Sequence, residues 1–265
     1  MAQGSNRYDQ CARAVPPALT PRPAAAVMPA KKRPASDLEP EVPSLKLLYF
    51  NIKAKGEPIK LACAHAGIPL EFCPFAGFEE FQAMKESGVL QFGQVPALVV
   101  NGSTQIVQTA AILRYVARLK PASGLYPDDL IEASTVDTLM DQVGDAFIPL
   151  SVWKYSNRFG FADDMMTEEL KEKLGKAVES ECLPQQLGFL DKYLEKSSTG
   201  WLAGTSGPTV ADFYWVCQLQ MIDEWFKMPE PIKAFPRLVA LVDKLMALPA
   251  AKALYAKGAG GSGRR

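Results

Sequence analysis

The sequence predicts an α/β half followed by an all-α half, and three observations carry that reading. From Leu45 onward, short apolar runs alternate with helix-period stretches in the order β-α-β-α-β-β-α. Asn101-Gly102 stands between two strand-like runs as the turn of a hairpin. Beyond Lys120-Pro121-Ala122-Ser123-Gly124-Leu125-Tyr126-Pro127, a loop of linker type, the strand signal vanishes and every periodic segment is helical.

The elements follow in order. Residues 45–50 are a short apolar strand, and residues 57–67 a helix with Pro58 in its first turn and Gly67 past its end. Residues 70–73 form a second strand, residues 78–87 a short helix, residues 95–100 and 104–107 the hairpin, and residues 109–119 a third helix. Strand, crossover and hairpin make a small mixed sheet covered by helices. Helical segments then run over residues 128–155, 167–196, 209–226, 236–248 and 250–257. The expected organisation is a Pro/Ala-rich disordered extension at 1–44, an α/β domain at 45–121, a helical domain at 128–257 and a glycine-rich flexible tail at 258–265.

Composition narrows the function classes. A chain of 265 residues, 48% of them hydrophobic, can bury two modest cores. Its 29 basic residues balance its 29 acidic ones, so no nucleic-acid partner is expected. No apolar run is long enough to span a membrane. The five cysteines have neither C-x-x-C nor zinc-type spacing, which suits a reducing, cytoplasmic compartment and no metal. In the first 36 residues, Arg7, Arg13, Arg22, Lys31, Lys32 and Arg33 outweigh Asp9, faintly like an organelle transit peptide, but the prolines oppose an amphipathic transit helix.

Pro96 is the most telling residue. A proline cannot donate to a ladder, so it belongs at a strand end or a sheet edge, leaving the peptide groups of Val95 free to pair with something extended. Gln108 and Thr109 then stand at a helix N-terminus, where unpaired N–H groups and the helix dipole favour a carboxylate. A peptide edge and a carboxylate socket describe a small acidic peptide ligand. Farther on, Thr209 and Asp212 have the spacing of a capping box, a structural feature of a helix start. His65 stands among apolar residues and is read as packed or surface-lying.

Leu48-Tyr49-Phe50-Asn51, Lys55-Gly56-Glu57-Pro58-Ile59, Phe92-Gly93-Gln94-Val95-Pro96, Gln108-Thr109-Ala110-Ala111-Ile112-Leu113-Arg114-Tyr115 and Thr209-Val210-Ala211-Asp212-Phe213-Tyr214-Trp215 together resemble a glutathione S-transferase. The resemblance covers about residues 45–257. It points to the sigma class, which includes glutathione-dependent prostaglandin D synthases, and implies a thioredoxin-like N-terminal domain, an all-helical C-terminal domain, a homodimer and a cis peptide before Pro96. Glutathione is then the co-substrate, Tyr49 the catalytic residue, and Val95 the partner of the cysteinyl backbone. Gln108 and Thr109, the latter in place of the family's serine, take the γ-glutamyl carboxylate.

Lys55 stands where the class commonly has arginine and loses the bidentate fork, Phe81 where it has tryptophan, and Gln94 where it has lysine. Lys85 keeps a lysine that approaches the glycine carboxylate, although the stretch from Lys85 to Phe92 is two residues longer than usual and leaves the register of residues 78–91 open. Asp145 matches the acid that reaches the neighbouring subunit's glutathione; alternatively it is a solvated helix residue. The hydrophobic substrate pocket is expected between Ile52 and its neighbours and the far end of the first long helix, with Phe147, Leu150 and Trp153 as lining or, equally, as a core face.

The resemblance implies a chemistry that needs a neutral donor at Tyr49. A thiol of pKa about 8.5 is only about 3% thiolate at pH 7, and a phenolic O–H aimed at the sulfur stabilises the anion by roughly 1.5–3 kcal/mol. The implied activity is conjugation of glutathione to small hydrophobic electrophiles, a detoxification, with prostaglandin-endoperoxide isomerisation as a narrower version. The alternative is a non-catalytic, crystallin-like glutathione binder. A cysteine-based redox transferase would need a thiol near position 49, and the sequence has none there.

Overall fold

In a computed structural model, residues 42–162 and 164–256 are described; the expectations placed on the N-terminal extension and the glycine-rich tail lie outside them. Strand β1 (Leu45–Tyr49) leads through a loop to α1 (Glu57–Ala66), then β2 (Glu71–Pro74), α2 (Phe78–Glu86), β3 (Ala97–Val100), β4 (Thr104–Val107) and α3 (Thr109–Leu119). The helical half follows with α4 (Leu130–Lys154), α5 (Glu168–Ala177), α6 (Leu183–Lys196), α7 (Val210–Glu224), α8 (Glu230–Lys233), α9 (Pro236–Met246) and α10 (Pro249–Ala256). A π-type turn at Val178–Cys182 joins α5 to α6, so the continuous helix expected over 167–196 is a single run with a wide turn in it.

The sheet order is β2-β1-β3-β4, with β1 parallel to β2 and antiparallel to β3, and β3 antiparallel to β4. This is a thioredoxin-like sheet. Pairing of Leu47 with Leu98 places two fully buried leucines side by side at its centre. Two expectations about Pro96 change. Strand β3 begins at Ala97, not Val95, and it is an interior strand, flanked by β1 and β4. Pro96 therefore stops the ladder at a strand end without lying on a sheet edge, which is the other position a residue without an N–H can hold. The Val95–Pro96 peptide is cis.

Helix α1 starts without a side-chain cap, with Pro58 near its first position, and ends at Gly67 in the left-handed conformation (φ 65°) that a Cβ would strain. One apolar core runs through both halves, from Leu47, Ile59 and Leu113 to Leu139, Trp215 and Leu241. Polar staples fix the relation of α3 to α4. The Arg114 guanidinium donates to Asp137 (2.6 Å) and Asp141 (2.9 Å), and the Tyr126 hydroxyl donates to the other Asp137 oxygen at 2.8 Å. Trp215 on α7 donates its indole N–H to the Leu139 carbonyl of α4 at 2.6 Å. These bonds fix α4 against α3 on one side and α7 on the other.

Candidate active site

Tyr49 ends β1 and is 6% exposed. Its phenolic oxygen accepts the backbone N–H of Lys55 at 3.0 Å, so that oxygen is held in place while its own proton stays free to be donated elsewhere. Burial pushes the phenol well above the usual tyrosine range, only partly offset by the Lys55 N–H, so Tyr49 is a neutral donor across the working pH range.

The ring lies against Gly56. A Cβ there would come within 2.5 Å of Tyr49 Cδ1 and 2.8 Å of Cγ, closer than atoms can approach, and the obstacle is a rigid aromatic ring. Gly56→Ala is therefore expected to displace the Tyr49 hydroxyl and lower turnover about five-fold, since sub-ångström misplacement of a reacting group is costly. Steady-state kinetics check this, and wild-type turnover in Gly56→Ala would show that the ring position is immaterial.

The Thr109 hydroxyl, 5% exposed, donates to the Lys55 carbonyl at 3.1 Å. The tie between the start of α3 and the loop after β1 spends the hydroxyl proton expected to meet a carboxylate. What the helix start still offers is backbone: the Ile112 N–H closes on the Gln108 carbonyl at 3.0 Å, leaving the N–H groups of Thr109, Ala110 and Ala111 without an intrahelical acceptor. Gln108 is exposed and has φ 72°, a conformation that costs a non-glycine residue about 1–3 kcal/mol and is maintained by its surroundings. Val95 is half-buried, and neither its N–H nor its C=O is hydrogen-bonded to the described residues. Val95 and the start of α3 thus both present unpaired backbone groups.

Lys85 is exposed, and its side chain folds back over the loop before Val95. A Cβ on Gly93 (φ 58°) would lie 3.2 Å from Lys85 Cγ and Cε. Gln94, next along the chain from Gly93, is exposed as well. The Phe81 ring packs on Phe50 (5.2 Å between centroids), Phe75 and Phe78, and it shares with Val95 a small apolar cluster around Leu90, Ala97 and Val107. Asp145 is exposed on α4.

The expected pocket stripe separates. Phe147 is buried with its ring 4.4 Å below Lys55 Nζ, and Ile52 is half-buried in the loop after β1. Leu150, by contrast, is 0% exposed and belongs to the core, so it cannot line an open pocket. Trp153 lies against Gly175 of α5, where a Cβ would come within 3.0 Å of its ring, and borders an open groove of about 960 Å³ with Lys154, Glu172, Phe226 and Met228. The cause is helical geometry. A step of three residues turns about 300°, so each step in the i, i+3, i+6 series drifts about 60° and Trp153 faces about 120° away from Phe147.

Lys55 is half-buried, and its Nζ lies 3.5 Å from the Tyr214 hydroxyl with the Tyr214 ring centroid at 5.4 Å. Among the described residues no carboxylate stands within ion-pair distance of it. Burial pushes its pKa down to about 8, and burial pushes the Tyr214 hydroxyl up to about 12. Sequence reasoning missed Tyr214 as a site residue. It sits in the same motif as Asp212, but only the path of α7 shows that it turns toward Lys55. His65 is half-buried against Phe213, with ring centroids 5.4 Å apart, a packing role as expected. Among the described residues no group of three or more His, Cys, Asp or Glu could hold a metal ion, and Cys63 is buried with its thiol pushed up to about 12.

A thioredoxin-like sheet with a cis peptide before the proline that precedes β3, a buried tyrosine at the end of the first strand and an all-helical half define one class of protein. Residues 56–124 match the model of the glutathione S-transferase N-terminal domain, and residues 158–258 that of the C-terminal domain. A hematopoietic prostaglandin D synthase of Gallus gallus is 33% identical over 217 residues, covering 82% of this chain and 97% of that protein. A glutathione S-transferase of Anopheles gambiae is 30% identical over 216 residues, with the same coverage. The solved prostaglandin synthase D of Nilaparvata lugens superposes with a TM-score of 0.67 at 27% identity, over 81% of this chain and 98% of that one. The chain belongs to the glutathione S-transferase family.

Proposed function

We propose that this chain is a glutathione transferase, resembling the sigma class, in which Tyr49 stabilises the glutathione thiolate and the sulfur is conjugated to small hydrophobic electrophiles in a detoxifying role. The single observation that carries the reading is the Tyr49 hydroxyl, fixed through its oxygen by the Lys55 N–H and left with a proton to give. Val95 would pair with the peptide backbone of glutathione, the N–H groups at the start of α3 would take its γ-glutamyl carboxylate, and Lys85 would approach its glycine carboxylate. Phe147 and Ile52 would form the apolar wall for the electrophile. No metal has a part in this chemistry.

The protein is proposed to act as a homodimer in the cytoplasm. Asp145 is exposed on α4 and so is open to a second copy. Buried or half-buried free thiols at Cys63, Cys73, Cys182 and Cys217 suit a reducing compartment.

A second reading, prostaglandin-endoperoxide isomerisation, is favoured by similarity to relatives named as prostaglandin D synthases. The deciding experiment incubates the full chain with glutathione and either an activated aryl halide or a prostaglandin endoperoxide. Turnover of the aryl halide is expected. Retention on immobilised glutathione without turnover of either compound would sink the enzymatic reading in favour of a non-catalytic binder.

A further inference from the structure

The chain between β1 and α1 has no strand or helix to hold it, yet it carries the N–H that fixes the Tyr49 hydroxyl. Two local bonds shape it, from the Ile52 N–H to the Phe50 carbonyl at 2.8 Å and from the Glu57 N–H to the Ala54 carbonyl at 3.0 Å, but neither attaches it to the rest of the protein. Attachment at Lys55 comes from two elements distant in sequence. The Thr109 hydroxyl at the start of α3 donates to the Lys55 carbonyl at 3.1 Å, and the Lys55 ammonium donates to the Tyr214 hydroxyl of α7 at 3.5 Å. The ammonium also lies 4.4 Å from the ring centroid of Phe147 and 5.4 Å from that of Tyr214, contacts that favour a cation. Those walls are themselves fixed. Phe147 and Tyr214 are buried, α7 starts at the Thr209–Asp212 capping box, and the Trp215 indole ties α7 at 2.6 Å to α4, the helix that carries Phe147. The residue held between these ties presents its own N–H to Tyr49 at 3.0 Å.

We propose that Tyr214 and Thr109 are positioning residues, which clamp Lys55 by its ammonium and its carbonyl so that the Lys55 N–H aims the Tyr49 hydroxyl at the glutathione sulfur. The proposal rests on the transferase reading above and adds to it the part of the helical half that sets the catalytic hydroxyl. The physical reason lies in the rotor of a phenol. Its O–H turns to suit its neighbours, and an N–H delivered to one side of the oxygen leaves the other side for the proton that is donated. The Lys55 N–H guides that proton only while the loop that carries it stays in place, since displacement of a reacting group by about 1 Å can cost about a hundred-fold in rate. A hydroxyl at position 214 supplies what a phenylalanine would not, an acceptor for a half-buried ammonium that has no carboxylate within ion-pair distance among the described residues. Both residues act through Lys55, and neither needs to touch the sulfur.

Two conservative variants test the clamp. Tyr214→Phe keeps the ring and removes the acceptor, while Thr109→Val keeps the backbone N–H of the helix start and removes the other tie. Each is made in the full chain, alone and together with Tyr49→Phe, and the thiolate absorbance of bound glutathione is titrated beside steady-state conjugation of an activated aryl halide. Each single variant is expected to raise the pKa of the bound thiol by about half a unit and to lower kcat about three-fold, with KM for glutathione changed less than about two-fold. In the Tyr49→Phe background neither should have a further effect above about 1.5-fold, because the hydroxyl they aim is gone. A merely structural role would lower kcat by the same factor in both backgrounds, and that result overturns the proposal, as does an unshifted thiol pKa in either single variant. Should Tyr214→Phe not fold, Thr109→Val in the same cycle decides by the same outcomes. A parent chain that neither ionises bound glutathione below its free value nor turns over the aryl halide fails the transferase reading, and the clamp with it; a parent that does both while the cycle is additive fails the clamp alone.

Discussion

Replacing Tyr49 with phenylalanine is expected to lower conjugation turnover roughly ten-fold at pH 7 and to raise the pKa of the bound glutathione thiol by about one to two units, with glutathione affinity changed less than about two-fold. The hydroxyl contributes about 1.5–3 kcal/mol to the thiolate, which corresponds to that shift. Thiolate at pH 7 would fall from about half to about 1–9%, while the more basic sulfur is intrinsically more nucleophilic, with a Brønsted slope of about 0.4–0.5. These effects partly cancel, and lost orientation of the sulfur supplies the remainder. The variant should fold, because its ring fills the same space against Gly56 and only the Lys55 N–H loses its acceptor. Because burial holds the phenol above its ordinary range, Tyr49 stays protonated through neutral pH, and turnover should rise with pH as the thiol ionises, with no falling limb from Tyr49 near neutrality. Thiolate absorbance titrated in the complex, together with turnover, decides the matter. Equal turnover in both proteins would mean that the sulfur is activated elsewhere.

The fold was legible because its signals are local. Helix α3 occupies Thr109–Leu119 as periodicity requires, and the Asn101-Gly102 turn closes β3 on β4 with Val100 opposite Thr104. The backbone part of the site was legible for the same reason: Pro96 ends a ladder and Gln108 precedes a helix, and both follow from chain chemistry alone. Side-chain roles were less so. Leu150 and Trp153 fit a stripe on paper, but the stripe rotates about 60° per step and only Phe147 meets Lys55. Thr109 was expected to spend its hydroxyl on a ligand and spends it on the Lys55 carbonyl, a partner 54 residues away that no local pattern reports. Long-range pairings of this kind depend on how two halves dock, and the sequence encodes that docking only through the whole core.

The Thr209–Asp212 pair is the converse case, read correctly as structural but more deeply committed than a cap. Asp212 is 0% exposed, and its carboxylate accepts the Thr209 N–H (2.7 Å), the Thr209 hydroxyl (2.9 Å) and the Leu202 N–H (2.8 Å). A surface cap of this type contributes about 1 kcal/mol. Here Asp212→Ala strands three buried donors, each costing about 1–3 kcal/mol before relaxation, so a loss of about 3–5 kcal/mol is expected. For a body of this size that is about 10 °C in Tm. Asp212→Asn should lose less, because its carbonyl can accept from one side, while its NH2 group faces a donor on the other. Urea unfolding should show the midpoint falling with the slope unchanged, and the fraction still folded should retain parental glutathione affinity. Affinity lost before stability would place Asp212 in the site; a midpoint equal to the parent's would mean that the 200–212 segment re-pairs its donors once the carboxylate is gone.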